Sequence, residues 1–180
     1  MHNRIFKKGT GGSSTFPQFF KIIAAVAIIA FTLSNIYKID TLFVSDMRTS
    51  EYVKAWRAKE GSEFTIKYTH SVELTPVWEV YEIREGKIIL KETVFQSFGA
   101  GLPSTSPYEF DIVDDGFRLS DINLEMTDLI YRVGKVRANH QIIIGGNEYP
   151  FLDFAKPEEG LKFETKQMSY FEFITKEGFK

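Results

Sequence analysis

No cysteine occurs among the 180 residues, so no disulfide can staple this chain, and an apolar core must hold it even in an oxidising compartment. Acidic residues are missing from residues 1–39, where Arg4, Lys7, Lys8, Lys21 and Lys38 give a charge of +5. From Asp40 onward 24 acids face 17 bases, a net of −7. That acidity excludes a nucleic-acid partner held by a basic patch, and any polybasic grip on lipid outside the N-terminal segment. Also missing are the Gly-Lys-Ser/Thr of a P-loop, the Gly-x-Ser-x-Gly elbow of a serine hydrolase, the Asp-x-Asp-x-Asp-Gly calcium loop and any recognised zinc spacing. No internal repeat is apparent, and helical periodicity is scarce after residue 39.

The N-terminal part contains one long apolar run, FFKIIAAVAIIAFTLSNI, over residues 19–36. At about 1.5 Å per residue such a helix just spans a hydrocarbon core, with Lys21 snorkelling toward headgroups. The positive flank is expected to stay cytoplasmic, which puts the rest of the chain outside the cytoplasm, in the periplasm or at the cell exterior. A cleaved signal peptide is the competing reading. An uncleaved anchor is favoured because the best small-x-small site is only Thr32-Leu33-Ser34, and there is no lipobox cysteine. The expected organisation is a basic N-terminus with anchor or signal segment at 1–39 and an extracytoplasmic β-domain at 40–180.

The second part reads as short strands between turn signals every eight to twelve residues, the pattern of an antiparallel β-sandwich or small barrel. Strands are expected at TLFVS (41–45), YVKAWRA (52–58), EFDIV (109–113), LIYRV (129–133), QIII (141–144), 149–154 and 161–165. Residues 117–126 fit either a short helix or a strand, and YFEFI (170–174) an edge strand or an ordered tail. Trp56 is expected in the core, and Asp114-Asp115-Gly116 as a turn rather than a metal loop.

The centre of the domain is residues 64–103. Apolar residues alternate at Phe64, Ile66, Tyr68 and Val72, then at Val77, Tyr81 and Ile83, with Glu79 among the latter. With a loop over 73–76, His70 faces Glu79 and Tyr68 faces Tyr81. A two-residue turn at Glu85-Gly86 then places Ile83 opposite Ile88 and Glu79 opposite Glu92. A row His70, Glu79, Glu92 results, on an otherwise apolar face. Charges placed there must pair, change protonation or bind something. They can form a structural pair, a ligand or cation site joined by His140, or a catalytic acid and base. Gly99 and Gly101 lie in a Phe-Gly-Ala-Gly-Leu-Pro bend that fits a sheet corner or an anion-facing backbone loop. Arg132 suits a carboxylate ligand, although it lies on the face opposite Leu129, Tyr131 and Val133. His140 reads as a loop histidine. Ser71 points away from its neighbour His70, which leaves Ser104 or Ser106 as the only routes to a serine hydrolase.

The segments Tyr68-Thr69-His70-Ser71-Val72-Glu73, Pro76-Val77-x-Glu79-x-Tyr81 and Phe98-Gly99-Ala100-Gly101-Leu102-Pro103 together resemble a small bacterial family, the domain of unknown function 1850. Arg132-Val133-Gly134, His140 and residues 161–164 also fit, so that the resemblance runs over about 51–165. It implies an exported or membrane-anchored protein that accompanies TAXI-type tripartite ATP-independent periplasmic (TRAP) transporters, uptake systems for small organic anions. Partners implied are the transporter membrane subunit and its solute-binding protein. The candidate ligand-binding residues of this chain are His70, Glu73, Glu79, Glu92, Gly99, Gly101, Arg132 and His140. The resemblance implies no catalytic residue and names no cofactor. The expected role is thus an accessory or binding module for solute uptake, with an extracytoplasmic hydrolase or metalloenzyme using His70, Glu79 and Glu92 as the alternative.

Overall fold

Gln18–Ile36 forms one helix, α1, that begins behind Pro17 and buries none of its residues. In this computed structural model, which describes residues 17–97, 107–114, 116–135 and 137–178, α1 is long and apolar enough to cross a membrane or to serve as a signal sequence. Its side chains find no core because the domain that follows is already closed by its own strands.

Those strands are β1 (Lys38–Asp46), β2 (Tyr52–Arg57), β3 (Glu63–Thr69), β4 (Pro76–Arg84), β5 (Lys87–Phe95), β6 (Glu109–Val113), β7 (Gly116–Ser120), β8 (Leu124–Glu125), β9 (Leu129–Arg132), β10 (Gln141–Ile144), β11 (Asn147–Pro150) and β12 (Gly160–Ser169). A single 3-10 turn, Phe151–Asp153, follows β11, and a short helix, α2 (Tyr170–Glu177), follows β12. Two antiparallel sheets result, one in the order β2-β1-β12-β9 and the other β11-β10-β3-β4-β5-β7-β6, with β8 paired to β5. Of the two architectures expected from sequence, this is the sandwich.

Alternation places the inner faces together. Leu42, Val44, Leu129, Leu161 and Phe163 of the first sheet pack against Phe64, Ile66, Tyr81, Ile83 and Ile142 of the second, and Trp56 joins the same core. Phe64 and Tyr81 are directly opposite across β3 and β4, with rings stacked 5.1 Å apart. Such pairs supply the cross-strand packing that stabilises a sheet.

The first sheet is also covered on its outer side. Phe43, Ala55 and Met168 point outward and pack with Phe173 of α2, which explains why burial in β1 is continuous over residues 41–45 instead of alternating. Residues 170–174, expected as strand or tail, are therefore helix. Ser169 caps it by accepting the Glu172 N–H at 3.1 Å, and Phe173 gives it an apolar face. The Glu177 carboxylate fastens its far end, accepting from Tyr52 Oη, Lys54 Nζ and the Ala55 N–H. The ambiguous 117–126 stretch is strand at both ends, in β7 and β8, and residues 151–153 leave the strand expected at 149–154.

The turn at Glu85-Gly86 closes as expected, with Arg84 opposite Lys87, Ile83 opposite Ile88 and both central residues at positive φ, 52° and 69°. Two corrections to register follow. On the first hairpin, Tyr68 pairs with Val77 and Ile66 with Glu79, four residues away from the expected alignment. Pairing stops at Thr69 and Pro76 because His70 closes its own turn: its carbonyl accepts the Leu74 N–H and its Nδ1 accepts the Glu73 N–H at 3.2 Å. The loop is thus 70–75. The slip is by an even number, so every side chain keeps its face.

On the second hairpin a β-bulge separates Tyr81 opposite Leu90 from Val80 opposite Glu92, leaving Lys91 as the extra residue. Glu63 and Glu82 are like charges directly opposite each other on β3 and β4, and Lys91 bridges them, bonding Glu63 and lying 3.8 Å from Glu82. The bulge gives that ammonium its place, and the Lys91 carbonyl left out of the ladder is taken by the Ile122 N–H. Beyond the bulge Thr93, not Glu92, stands opposite Glu79.

Candidate functional site: a tyrosine-ringed carboxylate beneath a polar rim

Glu79 and Tyr81 lie two residues apart on β4 and so share the inner face, with Tyr68 adjacent on β3. Tyr131 enters from β9, in the opposite sheet. All three hydroxyls donate to the Glu79 carboxylate: Tyr68 to Oε1 at 3.4 Å, Tyr81 to Oε2 at 3.2 Å, and Tyr131 to Oε2. The Tyr81 and Tyr131 oxygens are 2.7 Å apart. A carboxylate accepts about four hydrogen bonds, so the donors fill most of its capacity and tie one sheet to the other.

Burial raises the Glu79 pKa, and the three donated bonds pull against that shift without reversing it. The tyrosines answer in the same sense. Burial, reinforced by the neighbouring Glu79 charge, pushes Tyr68, Tyr81 and Tyr131 all upward, so the phenols stay protonated and remain donors.

His140 closes the ring of aromatics. Its imidazole stacks between Tyr68 at 5.4 Å and Phe151 at 5.5 Å and meets Tyr131 edge-on at 6.0 Å. Burial lowers its pKa and keeps the ring neutral. Nδ1 accepts the Gly134 N–H at 3.2 Å, which places the remaining ring proton on Nε2. This is a packed histidine, where the sequence read as a surface loop. Gly134 is required by space: a Cβ there would lie 2.3 Å from the Ala138 Cβ and 3.4 Å from His140 Nδ1.

The row His70, Glu79, Glu92 does not form. His70 is spent on its own turn, and the bulge turns Glu92 to the face of Val80. Glu73 is also engaged, accepting a bond from Ser97 Oγ at 2.8 Å and so pinning the 70–75 loop to the exit of β5. Gly99, Gly101, Ser104 and Ser106 lie outside the described residues. Among the described residues no three His, Cys, Asp or Glu side chains are grouped to hold a metal ion. Among the described residues, the candidate acid, base and ligand residues named from sequence thus do not converge on one reacting centre. Sequence reasoning missed the tyrosines. Tyr68, Tyr81 and Tyr131 read as apolar-face residues, and only the sheet-to-sheet packing shows that their hydroxyls share one carboxylate.

What His70, Glu73, Arg132 and His140 do share is one end of the sandwich. α1 joins the domain where Lys38 pairs with Ser169, and β1 runs from there to Asp46, opposite Leu161. The far end carries the 70–75 loop, Ser97, Arg132 opposite Gly160, and the 133–140 connection, tied to β3 by the Thr69 N–H donating to Ala138 O at 2.7 Å. At this rim Arg48 and Arg132 line a polar cleft of about 250 Å³ with Asp46, Glu158 and Glu159. The three acids are committed locally. Asp46 accepts the Arg48 and Thr49 N–H groups, which hold its carboxyl below the usual range; Glu159 accepts the Lys156 N–H; and Glu158 pairs with Lys135 at 3.0 Å. Neither guanidinium forms an ion pair among the described residues, and Arg132 is exposed, as its strand position implied.

No curated protein and no solved structure matches the chain. Residues 64–151 match the model of a domain of unknown function, DUF1850, and that stretch contains the tyrosine-ringed carboxylate, His140 and the Arg132-Val133-Gly134 segment.

Proposed function

We propose that the protein is a membrane-anchored extracytoplasmic accessory module of a TRAP-type solute transporter, with α1 in the bilayer and the sandwich outside. One observation carries this reading: the family-like segments at 68–73 and 132–134 and His140 gather at the end of the sandwich opposite α1. Nine residues of β1 at about 3.3 Å each put that rim about 30 Å beyond the end of α1, within reach of a soluble solute-binding protein. The Arg48 and Arg132 cleft suits a carboxylate, either of a small organic anion or of an acidic side chain on the partner, because its own acids are already engaged. The tyrosine-ringed Glu79 sits behind this rim as its support.

Crosslinking of full-length tagged protein in native membranes, followed by affinity capture and mass spectrometry, tests the reading. Recovery of a permease and its solute-binding protein is expected, with the yield of the latter reduced by Arg132→Glu. Recovery of neither sinks the accessory role, and equal yields from wild type and Arg132→Glu remove the cleft from it.

A further inference from the structure

α2 does not end its contacts at the sheet. The Phe171 ring packs edge-on against Phe31 of α1 with centroids 5.0 Å apart, and Tyr170 meets Tyr37 at 6.3 Å. The Tyr170 N–H donates to the Tyr37 carbonyl at 2.9 Å, so α2 begins level with the end of α1. Phe31 lies five residues before Ile36, the last residue of α1. At about 1.5 Å per residue its ring is about 7.5 Å below the helix end. Yet Tyr37, Tyr170 and Phe171 all remain exposed, at 61%, 37% and 39%. From this turn α2 climbs the outer face of the sheet toward Glu177 and β2.

The geometry points to a second membrane contact: the first turn of α2, together with Tyr37, docks into the lipid interface beside α1. This rests on the reading that α1 lies in a bilayer. Apolar side chains of interfacial helices enter to about 5–10 Å, the depth at which Phe31 holds Phe171. Tyrosine rings favour the headgroup level, which is where Tyr37 and Tyr170 stand. Lys38 follows at once on the exposed side of β1, suited to phosphate groups. Lipid is the occupant because the patch is continuous with the exposed apolar surface of α1. Two points of contact would set the tilt of the sandwich and hold its rim at a fixed height, which one flexible tether would not do.

The absence of cysteine makes the test direct, since each introduced cysteine is unique. Full-length Tyr170→Cys, Phe171→Cys, Ile28→Cys and Val72→Cys variants carry a nitroxide in vesicles of phosphatidylethanolamine and phosphatidylglycerol. Collision with oxygen is compared with collision with a water-soluble nickel chelate. Oxygen should dominate at 28 and, more weakly, at 170 and 171, whereas the chelate dominates at 72. Chelate dominance at 170 and 171 with oxygen dominance at 28 overturns the interfacial contact alone and leaves the face to a protein partner. Chelate dominance at 28 as well overturns the anchor and the contact with it. Tyr170 lies at the edge of the packing, so its variant still reports if Phe171→Cys loosens α2.

Discussion

Tyr131→Phe removes one hydroxyl and leaves the ring contacts with Phe151, Phe163 and His140 in place. The lost group donates to a carboxylate screened from water, and hydrogen bonds to charged groups contribute about 1.5–3 kcal/mol. Tyr81 loses a partner but keeps Glu79 Oε2, so no phenol is orphaned. The expected cost is about 2 kcal/mol, a factor of about 30 in the folding equilibrium, or about 4–8 °C in Tm for a domain of this size. The penalty should depend on pH. Because burial raises the Glu79 pKa, the folded state holds its proton above the ordinary value of 4.5. Below that raised value the Tyr131 bond is therefore made to a neutral carboxyl and is worth about 1 kcal/mol, whereas at higher pH, above it, the bond is made to an anion. Denaturant unfolding of the full-length protein in detergent, followed by the fluorescence of Trp56 and Trp78, measures both. A cost below about 0.5 kcal/mol at the higher pH, or one that does not shrink on acidification, would refute the view that this carboxylate joins the two sheets.

The pH dependence of wild type has a second source. The folded-state pKa of His140 is lowered from 6.5, so the stability it confers is present above 6.5 and is lost as pH falls through the lowered value. Glu79, with a raised value, acts in the opposite sense, losing stability as pH rises through it. His140→Phe keeps a ring between Tyr68 and Phe151 but cannot titrate. It should unfold more easily at neutral pH and lose less further stability between about pH 6.5 and 5 than wild type, as read by urea midpoints. Gly134→Ala should cost about 1–3 kcal/mol, because the 133–140 connection must move to admit a Cβ; equal thermal midpoints would show that it yields freely. Glu177→Ala strips Lys54 and the Ala55 N–H of their acceptor and should free the far end of α2. Faster proteolytic cleavage within residues 170–178, with the sandwich intact, is the expected readout.

Much of the architecture was legible locally. Alternation over 64–72 and 77–83 marked two half-buried strands, and Glu85-Gly86 marked a turn that only residues tolerating positive φ accept. The apolar run ahead of the sandwich announced α1, and strand polarity put Arg132 outside. Local pattern failed where a residue had a use that pattern does not encode. His70 looked like a residue inside a strand that ran on to Val72, but its ring accepts the Glu73 N–H and ends pairing early. Lys91 interrupts the β5 register because two carboxylates on neighbouring strands need a cation between them. Residues 170–174 alternate like a strand, and become helix because Ser169 caps them and the outer face of β1 and β2 offers Phe173 a place.

By itself the sequence determined the apolar segment, the absence of crosslinks, the β class and the inward face of β3 and β4, since these follow from periodicity and composition within a few residues. Tertiary structure alone decided what Glu79 does. Its three donors come from positions 68, 81 and 131, on strands of two sheets, and its neighbour His140 from a connection beyond them. Which hydroxyl reaches which carboxylate depends on strand order, on the even slip at the 70–75 loop and on the bulge at Lys91. Those depend in turn on loop closure and charge pairing between residues far apart in the chain, which no local pattern records.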